Sequence, residues 1–340
     1  MSGAGQDTAL AIELSIVVPM FNEGENCDRF FAMITPILEK AVSSYEIICV
    51  NDGSRDDTLE RLLQHRTKNC FIKVANLSRN FGKEAALTAG IDLARGRAVI
   101  PIDADLQDPP ELILDMVEKW RQGAQVVLAR RSDRTSDSAL KRTTAGLFYD
   151  LFSRLARPSI PKNVGDYRLM DRVVVDALKR LPERSRFMKG LFAWVGYRQV
   201  TLDYVRQPRL AGRTKFNYWK LWNFALDGII SFSAMPLKVW SYFGFAISLA
   251  AAIYMAVVIV RTLVFGIDAP GYASLMTVML FMNGLILINL GALGEYMSRI
   301  FIEVKQRPIY LINEIAGFED AAVAKANLAA QAPMPVQAQA

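Results

Sequence analysis

The 340-residue chain predicts an α/β body with a largely parallel sheet, then an amphipathic segment and two membrane-spanning helices. Three observations carry this reading. Short β-branched runs alternate with helical patterns before residue 210, the signature of helices layered on a parallel sheet. Hydrophobic residues make up 52% of the chain and charged residues 22%, too apolar for a disordered protein and too charged for a many-span transporter. Two long uncharged stretches, both placed after the body, supply the membrane component.

The predicted strands are SIVVP (15–19), EIICV (46–50), FIKVANL (71–77), AVIPID (98–103) and QVVLA (125–129). In sheets of this kind ligands gather beyond the C-terminal strand ends, so the residues just past each run are the candidates. They are Met20, Phe21, Asn22 and Glu23; then Asn51, Asp52, Gly53 and Ser54; then Asp103, Ala104, Asp105, Leu106 and Gln107. In an extended chain Asp103 and Asp105 share a face, with Gln107 one step further. Three such oxygen ligands suit Mg²⁺ or Mn²⁺ on a diphosphate. An acidic turn ahead of Pro109 and Pro110 has the same sequence, and Asp52 stands in an Asp-Gly pair that also marks turns. Lys83 in FGKEAAL reads either as an exposed helix start or as a cation contacting the ligand.

Several classes are excluded. No GxGxxG follows the first strand and no GxxxxGK[ST] occurs, which removes dinucleotide dehydrogenases and P-loop ATPases. The single histidine, His65, lies in the charged stretch ERLLQHRTK and is expected at the surface, so zinc sites built on several histidines are excluded. Chemistry is left to carboxylates, arginines and metal-bound oxygen. Cys27, Cys49 and Cys70 form no disulfide framework and fit a reducing compartment.

Val239–Val260 and Ala269–Gly294 carry no charge and match the ~20 residues a span requires. Lys220 and Lys238 before the spans and Arg299, Lys305 and Arg307 after them place both termini on the cytoplasmic side of the inner membrane. The apolar run near the N-terminus is too brief for a signal peptide. The expected organisation is an N-terminal extension (1–13), the body (14–216), an interfacial amphipathic helix (217–236), two spans (237–296) and a C-terminal segment with a disordered tail (297–340).

SIVVPMFNE, VNDGSRDDT, LSRNFGKEAALTAGIDLARG, DADLQDPPE, GDYRLMDR, RFMKG and AGRTKF follow one another in this order and precede two apolar stretches. The set resembles the family-2 glycosyltransferases of GT-A fold that load a sugar onto a polyprenyl phosphate, over residues 14 to 310. It is most similar to the bactoprenol glucosyltransferases, with dolichyl-phosphate mannose synthases as relatives. The resemblance implies that Pro19, Phe21, Glu23, Asp52, Lys83, Asp103 and Ala104 hold a nucleotide sugar, expected to be a UDP-hexose. It also implies that Asp103, Asp105 and Gln107 hold the metal. Arg131 and Arg142 would grip the lipid phosphate, with Arg130 able to exchange roles with Arg131, and Arg213 and Lys215 would serve a loop closing over both substrates. Asp166 would lie near the anomeric centre, orienting sugar or acceptor, and Asp105 would share in catalysis.

The implied partners are a polyprenyl phosphate such as undecaprenyl phosphate and the bilayer that presents it, not nucleic acid. The uncharged spans leave product translocation to a separate flippase. Gly284, Gly291 and Gly294 leave homo-oligomerisation through the spans open. GDP-mannose or a UDP-aminoarabinose remains an alternative donor. A processive polysaccharide synthase is opposed by the two spans and the missing QxxRW motif, and a noncatalytic scaffold by the presence of both Asp103 and Asp105. Phe21, where many relatives have Tyr, and Arg213-Thr214-Lys215, where Ser often precedes the Lys, are the departures.

Overall fold

The computed structural model describes residues 12–132, 161, 163–184, 186–205, 235–265 and 271–318. The body is an eight-stranded sheet with helices on both faces, in the order β7-β5-β6-β4-β1-β2-β3-β8. All five strands read from the sequence are present: β1 (Leu14–Met20), β2 (Tyr45–Asn51), β3 (Ile72–Leu77), β4 (Ala98–Pro101) and β5 (Val126–Arg131). β1, β2, β3 and β4 form a parallel centre. These strands read as continuous apolar runs because both faces are covered. In β1, Leu14, Ile16, Val18 and Met20 face one core and Val17 the other.

The first core is closed by α1 (Gly24–Ala41), α2 (Thr58–Lys68) and α4 (Leu112–Arg121), the second by α3 (Lys83–Leu93), α5 (Arg172–Lys179) and α6 (Met188–Trp194). In α1 the buried Cys27, Phe30, Phe31, Ile34, Leu38 and Ala41 recur at helical spacing, giving one apolar stripe. Helix α3 is different, being buried nearly all round from Ala85 to Ile91. Gly90 lets it press on the sheet, since a Cβ there would lie 2.2 Å from a Val17 methyl carbon. This close seating fixes where the first turn of α3 points.

Three strands escaped the sequence reading. β6 (Val164–Asp171) runs antiparallel between β4 and β5, so β5 is not the neighbour of β4 that simple alternation suggests. β7 (Gln199–Tyr204) adds parallel to β5. β8 (Ile312–Ala316) pairs antiparallel with β3, so the segment assigned to a separate C-terminal region in fact completes the body's sheet. His65 is also more engaged than a plain surface residue. Its Nε2 lies 2.6 Å from Asp28 Oδ1 and its ring packs on Phe31.

After the body come two long helices, α7 (Met235–Phe265) and α8 (Tyr272–Lys305). Among the described residues, one helical stretch, Phe281–Lys305, is long and apolar enough to cross a bilayer, and Tyr242–Val258 is a shorter apolar one. Large side chains such as Phe245, Leu263 and Leu287 stand exposed on these helices. An apolar surface of this extent needs lipid or protein cover, and we take it as membrane-associating. The expected interfacial helix (217–236) lies outside the described residues except for 235–236, which begin α7, and the C-terminal segment is outside them from 319 onward.

Gly53 sits at φ +63, and a Cβ there would meet the backbone of Arg79 and Asn80 at 2.5 and 2.6 Å. Gly53→Ala should therefore cost about 1–3 kcal/mol in thermal or denaturant unfolding. A stability equal to wild type would show that this turn does not hold the Arg79–Asn80 segment.

Candidate active site

Two cavities open at the C-terminal ends of the parallel strands and share Pro19, Lys83 and Asp103. The larger, about 310 Å³, is lined by Pro19, Met20, Phe21, Glu23, Asp52, Asn80, Gly82, Lys83, Ala86, Asp103, Ala104 and Asp105. All seven residues assigned to the nucleotide sugar by resemblance meet here. The smaller, about 190 Å³, is lined on its far side by Asp108, Arg131, Gly165, Asp166, Tyr167 and Lys189.

Lys83 joins the two. Its Nζ lies 2.7 Å from Asp103 Oδ1 and 3.2 Å from Asp166 Oδ2, so the first residue of α3 ties the loop after β4 to β6. Burial disfavours the ammonium, but the carboxylates of Asp103 and Asp166 outweigh it and hold Lys83 above its ordinary range. Lys83 is the exposed first residue of α3, as the helix-start reading has it, and it is also paired with two carboxylates at the cavity edge. Asp166 lies in β6. Burial pushes its carboxyl up, yet Lys83, Lys189 and Arg168 together bring it below the usual carboxylate range. It is therefore ionised at neutral pH, and its Oδ1 is buried without a protein partner. Asp103 is shifted the opposite way, raised by burial against the pull of Lys83.

Asp52 is buried, and both its oxygens are in use. Oδ1 accepts the Phe81 N–H at 2.7 Å and Oδ2 the Gly82 N–H at 2.9 Å. It anchors the loop that launches α3, and a ligand would find only its remaining lone pairs. Of the three residues expected to hold the metal, Asp103 and Asp105 line the larger cavity and Gln107 does not. β4 ends at Pro101, Leu106 turns the chain at φ 53, and Gln107 is buried and lines neither cavity. A left-handed residue breaks the alternation that the extended reading assumed. Among the described residues no group of three or more His, Cys, Asp or Glu side chains is placed to hold a metal ion. Two carboxylates, Asp103 and Asp105, remain at the edge of the larger cavity.

The two arginines that end β5 are now distinguished. Arg130 forms a paired bond to Asp203, with Nε and Nη2 donating at 2.6 and 2.8 Å, and lines neither of these cavities. Arg131 lines the smaller one, where its Nε donates to Tyr204 Oη at 3.2 Å and Tyr204 donates to buried Asp108 at 2.5 Å. Arg142, Arg213 and Lys215 lie outside the described residues. Sequence reasoning missed Asp108, Lys189 and Glu84. Asp108 closes the DADLQD run and Lys189 stands in RFMKG, so both were within quoted motifs, whereas Glu84 had no signal beyond adjacency to Lys83.

Glu84 Oε2 accepts the Met188 N–H at 3.1 Å, linking α3 to the helix that carries Lys189. Burial, and next the charge of Asp166, push its carboxyl from 4.5 up to about 7. Because it ionises later when folded than when unfolded, folding loses stability as pH rises from about 4.5 to about 7. Glu84→Gln keeps an acceptor for Met188 and removes that loss. The melting temperature of the variant relative to wild type should thus be more favourable near pH 8 than near about pH 5. A difference that does not change with pH would contradict this placement of Glu84.

Residues 15–179 match the family described as Glycosyl transferase family 2. An uncharacterised glycosyltransferase of Synechocystis is 56% identical over 318 residues, covering 94% of this chain and 100% of the relative. The SfII prophage-derived bactoprenol glucosyl transferase of Shigella flexneri is 49% identical over 303 residues, covering 89% and 98%. A prophage bactoprenol glucosyl transferase homolog of Escherichia coli K12 is 47% identical over 304 residues, covering 89% and 99%. With its strand-end carboxylates, its cation between two cavities and relatives matched along nearly their whole length, the chain belongs to glycosyltransferase family 2.

Proposed function

We propose that this protein is a membrane-anchored inverting glycosyltransferase that moves glucose from UDP-glucose onto undecaprenyl or another polyprenyl phosphate. The observation that carries the reading is the pair of cavities meeting at Lys83 and Asp103, one lined for a nucleotide diphosphate and the other for an anion. The relatives named bactoprenol glucosyl transferase support both the sugar and the lipid. Two spans formed by α7 and α8 would hold the body at the cytoplasmic face, where the acceptor's head group is presented.

A phosphate monoester has a second pKa near ~6 and is largely dianionic at neutral pH, so the acceptor needs no base. Its oxygen attacks the anomeric carbon in line. The new carbon–oxygen bond forms as the bond to UDP breaks, UDP leaves with the electron pair, and configuration inverts. Arg131 and Lys189 hold the acceptor phosphate, Arg131 through a planar fork suited to paired phosphate oxygens. Lys83 faces both substrates and stabilises charge developing between them. Ionised Asp166 orients a sugar hydroxyl and needs no proton of its own. Pro19, Phe21, Glu23 and Asp52 seat the nucleoside.

Asp103 and Asp105 fit a divalent ion, because Mg²⁺ or Mn²⁺ takes one or two carboxylates and completes its shell with water and substrate phosphates. Such an ion supplies charge neutralisation for the departing diphosphate.

Purified full-length protein given undecaprenyl phosphate, Mg²⁺ or Mn²⁺ and radiolabelled UDP and GDP sugars should transfer label from UDP-glucose to the lipid extract. Label from another sugar alone would overturn the donor assignment. Asp105→Asn should lower transfer by about a hundredfold or more while leaving membrane insertion intact; normal turnover would remove its metal role. Arg131→Ala should raise KM for the lipid phosphate more than KM for UDP-glucose, and an unchanged lipid dependence would count against the acceptor site.

A further inference from the structure

A separate cavity, about 380 Å³, lies on the other side of the first turn of α3. Lys83 lines the catalytic cavities and its neighbour Glu84 lines this one. Four cations line it: Arg184 and Arg186 from the segment between α5 and α6, Lys305 at the end of α8 and Arg307 just beyond it. Phe301 and Ile302 of α8 line it too as exposed apolar groups.

The two cationic segments are pinned together. The Arg184 main-chain N–H donates to both carboxylate oxygens of Glu303 at 2.9 and 3.0 Å, fixing that segment to the last turn of α8. β8, which follows α8, is hydrogen-bonded to β3, so the helix end is also tied to the sheet. Arg186 is held by its own Nη2, which donates to the Leu181 carbonyl at 2.9 Å. The Lys305 ammonium lies 4.0 Å from the centre of the Phe301 ring. Glu84 is the one carboxylate in the lining, and it is committed to the Met188 N–H. The lining thus keeps a net positive charge at the end of the apolar stretch Phe281–Lys305, beside side chains that suit an acyl chain.

We propose that this cavity binds the phosphate of an anionic bilayer phospholipid and docks the catalytic body against the membrane surface. The inference rests on the membrane-anchored part of the proposed function. Phosphates attract clustered basic side chains at a bilayer surface, and the apolar rim admits the first methylenes below the head group. The acceptor lipid is a poorer occupant. Its phosphate must reach Asp103 and Lys83, and the first turn of α3 separates those groups from this cavity.

The test is displacement of a fluorescent phosphatidylglycerol from the detergent-solubilised full chain by unlabelled phosphatidylglycerol, phosphatidylcholine or undecaprenyl phosphate. Phosphatidylglycerol should compete best, and added salt should weaken it. Arg184→Gln with Arg307→Gln should weaken it roughly thirtyfold. Lys40→Gln with Lys68→Gln, exposed on helices of the opposite face, should leave it unchanged. Arg307→Gln alone, at an exposed position, serves if the double variant does not fold. Equal competition by phosphatidylcholine, or retained affinity in the folded arginine variant, would overturn the proposal. Stronger displacement by undecaprenyl phosphate would reassign the cavity to the acceptor and overturn it as well. Sugar transfer on the same preparation separates the two readings: lipid preference without transfer removes only the enzyme, and transfer without lipid preference removes only this site.

Discussion

The ammonium of Lys83 holds together three pieces of chain that would otherwise repel or drift apart. Asp103, just past β4, and Asp166, in β6, are both partly withdrawn from water, and Lys83 is the cation that lies between them, with Lys189 and Arg168 adding to the pull on Asp166. A buried carboxylate is costly unless paired, and two neighbouring ones more so. Lys83 resolves this at the point where two cavities meet. The same arrangement puts a positive charge where a sugar diphosphate and an attacking phosphate would converge, so a structural requirement and a chemical one coincide.

The rest of the fold holds that lysine in place. Helix α3 is sunk against the sheet through Gly90, and the loop before it is tied down by both oxygens of Asp52. Asp166 reaches the ion trio because β6 runs antiparallel beside β4, bringing its N-terminal half to the C-terminal rim of the parallel strands. Glu84, one residue beyond Lys83, carries the linkage on to α6 and hence to Lys189.

Much of this was legible in the sequence. The five strands were visible because strands buried on both faces must be apolar, and Phe21, Glu23, Asp52, Asp103 and Ala104 stand just beyond them, whereas Pro19 within β1 joined the set only through the resemblance. β6 was not visible, because GDYRLMD places buried Arg168 and half-buried Asp166 among its apolar residues and so breaks the pattern. Arg168 is tolerated there because its Nη2 donates to the Gly165 carbonyl at 2.6 Å and its guanidinium stacks 4.1 Å from the centre of the Phe192 ring. β8 was missed because it is a short edge strand with Asn313 and Glu314 exposed in its middle. Gln107 lines neither cavity and follows a positive φ at Leu106 that nothing in the sequence announces. Which of Arg130 and Arg131 faces the site depends on register against Asp203 and Tyr204, information that appears only once β5 and β7 are paired.

The central claim is that Lys83 serves both substrates at once, and steady-state kinetics of Lys83→Met test it most directly. The account predicts a folded protein whose kcat falls by about a hundredfold or more, with KM rising for nucleotide sugar and lipid phosphate alike. A kcat close to wild type, with KM changed for the nucleotide sugar alone, would make Lys83 a donor contact only and contradict the account.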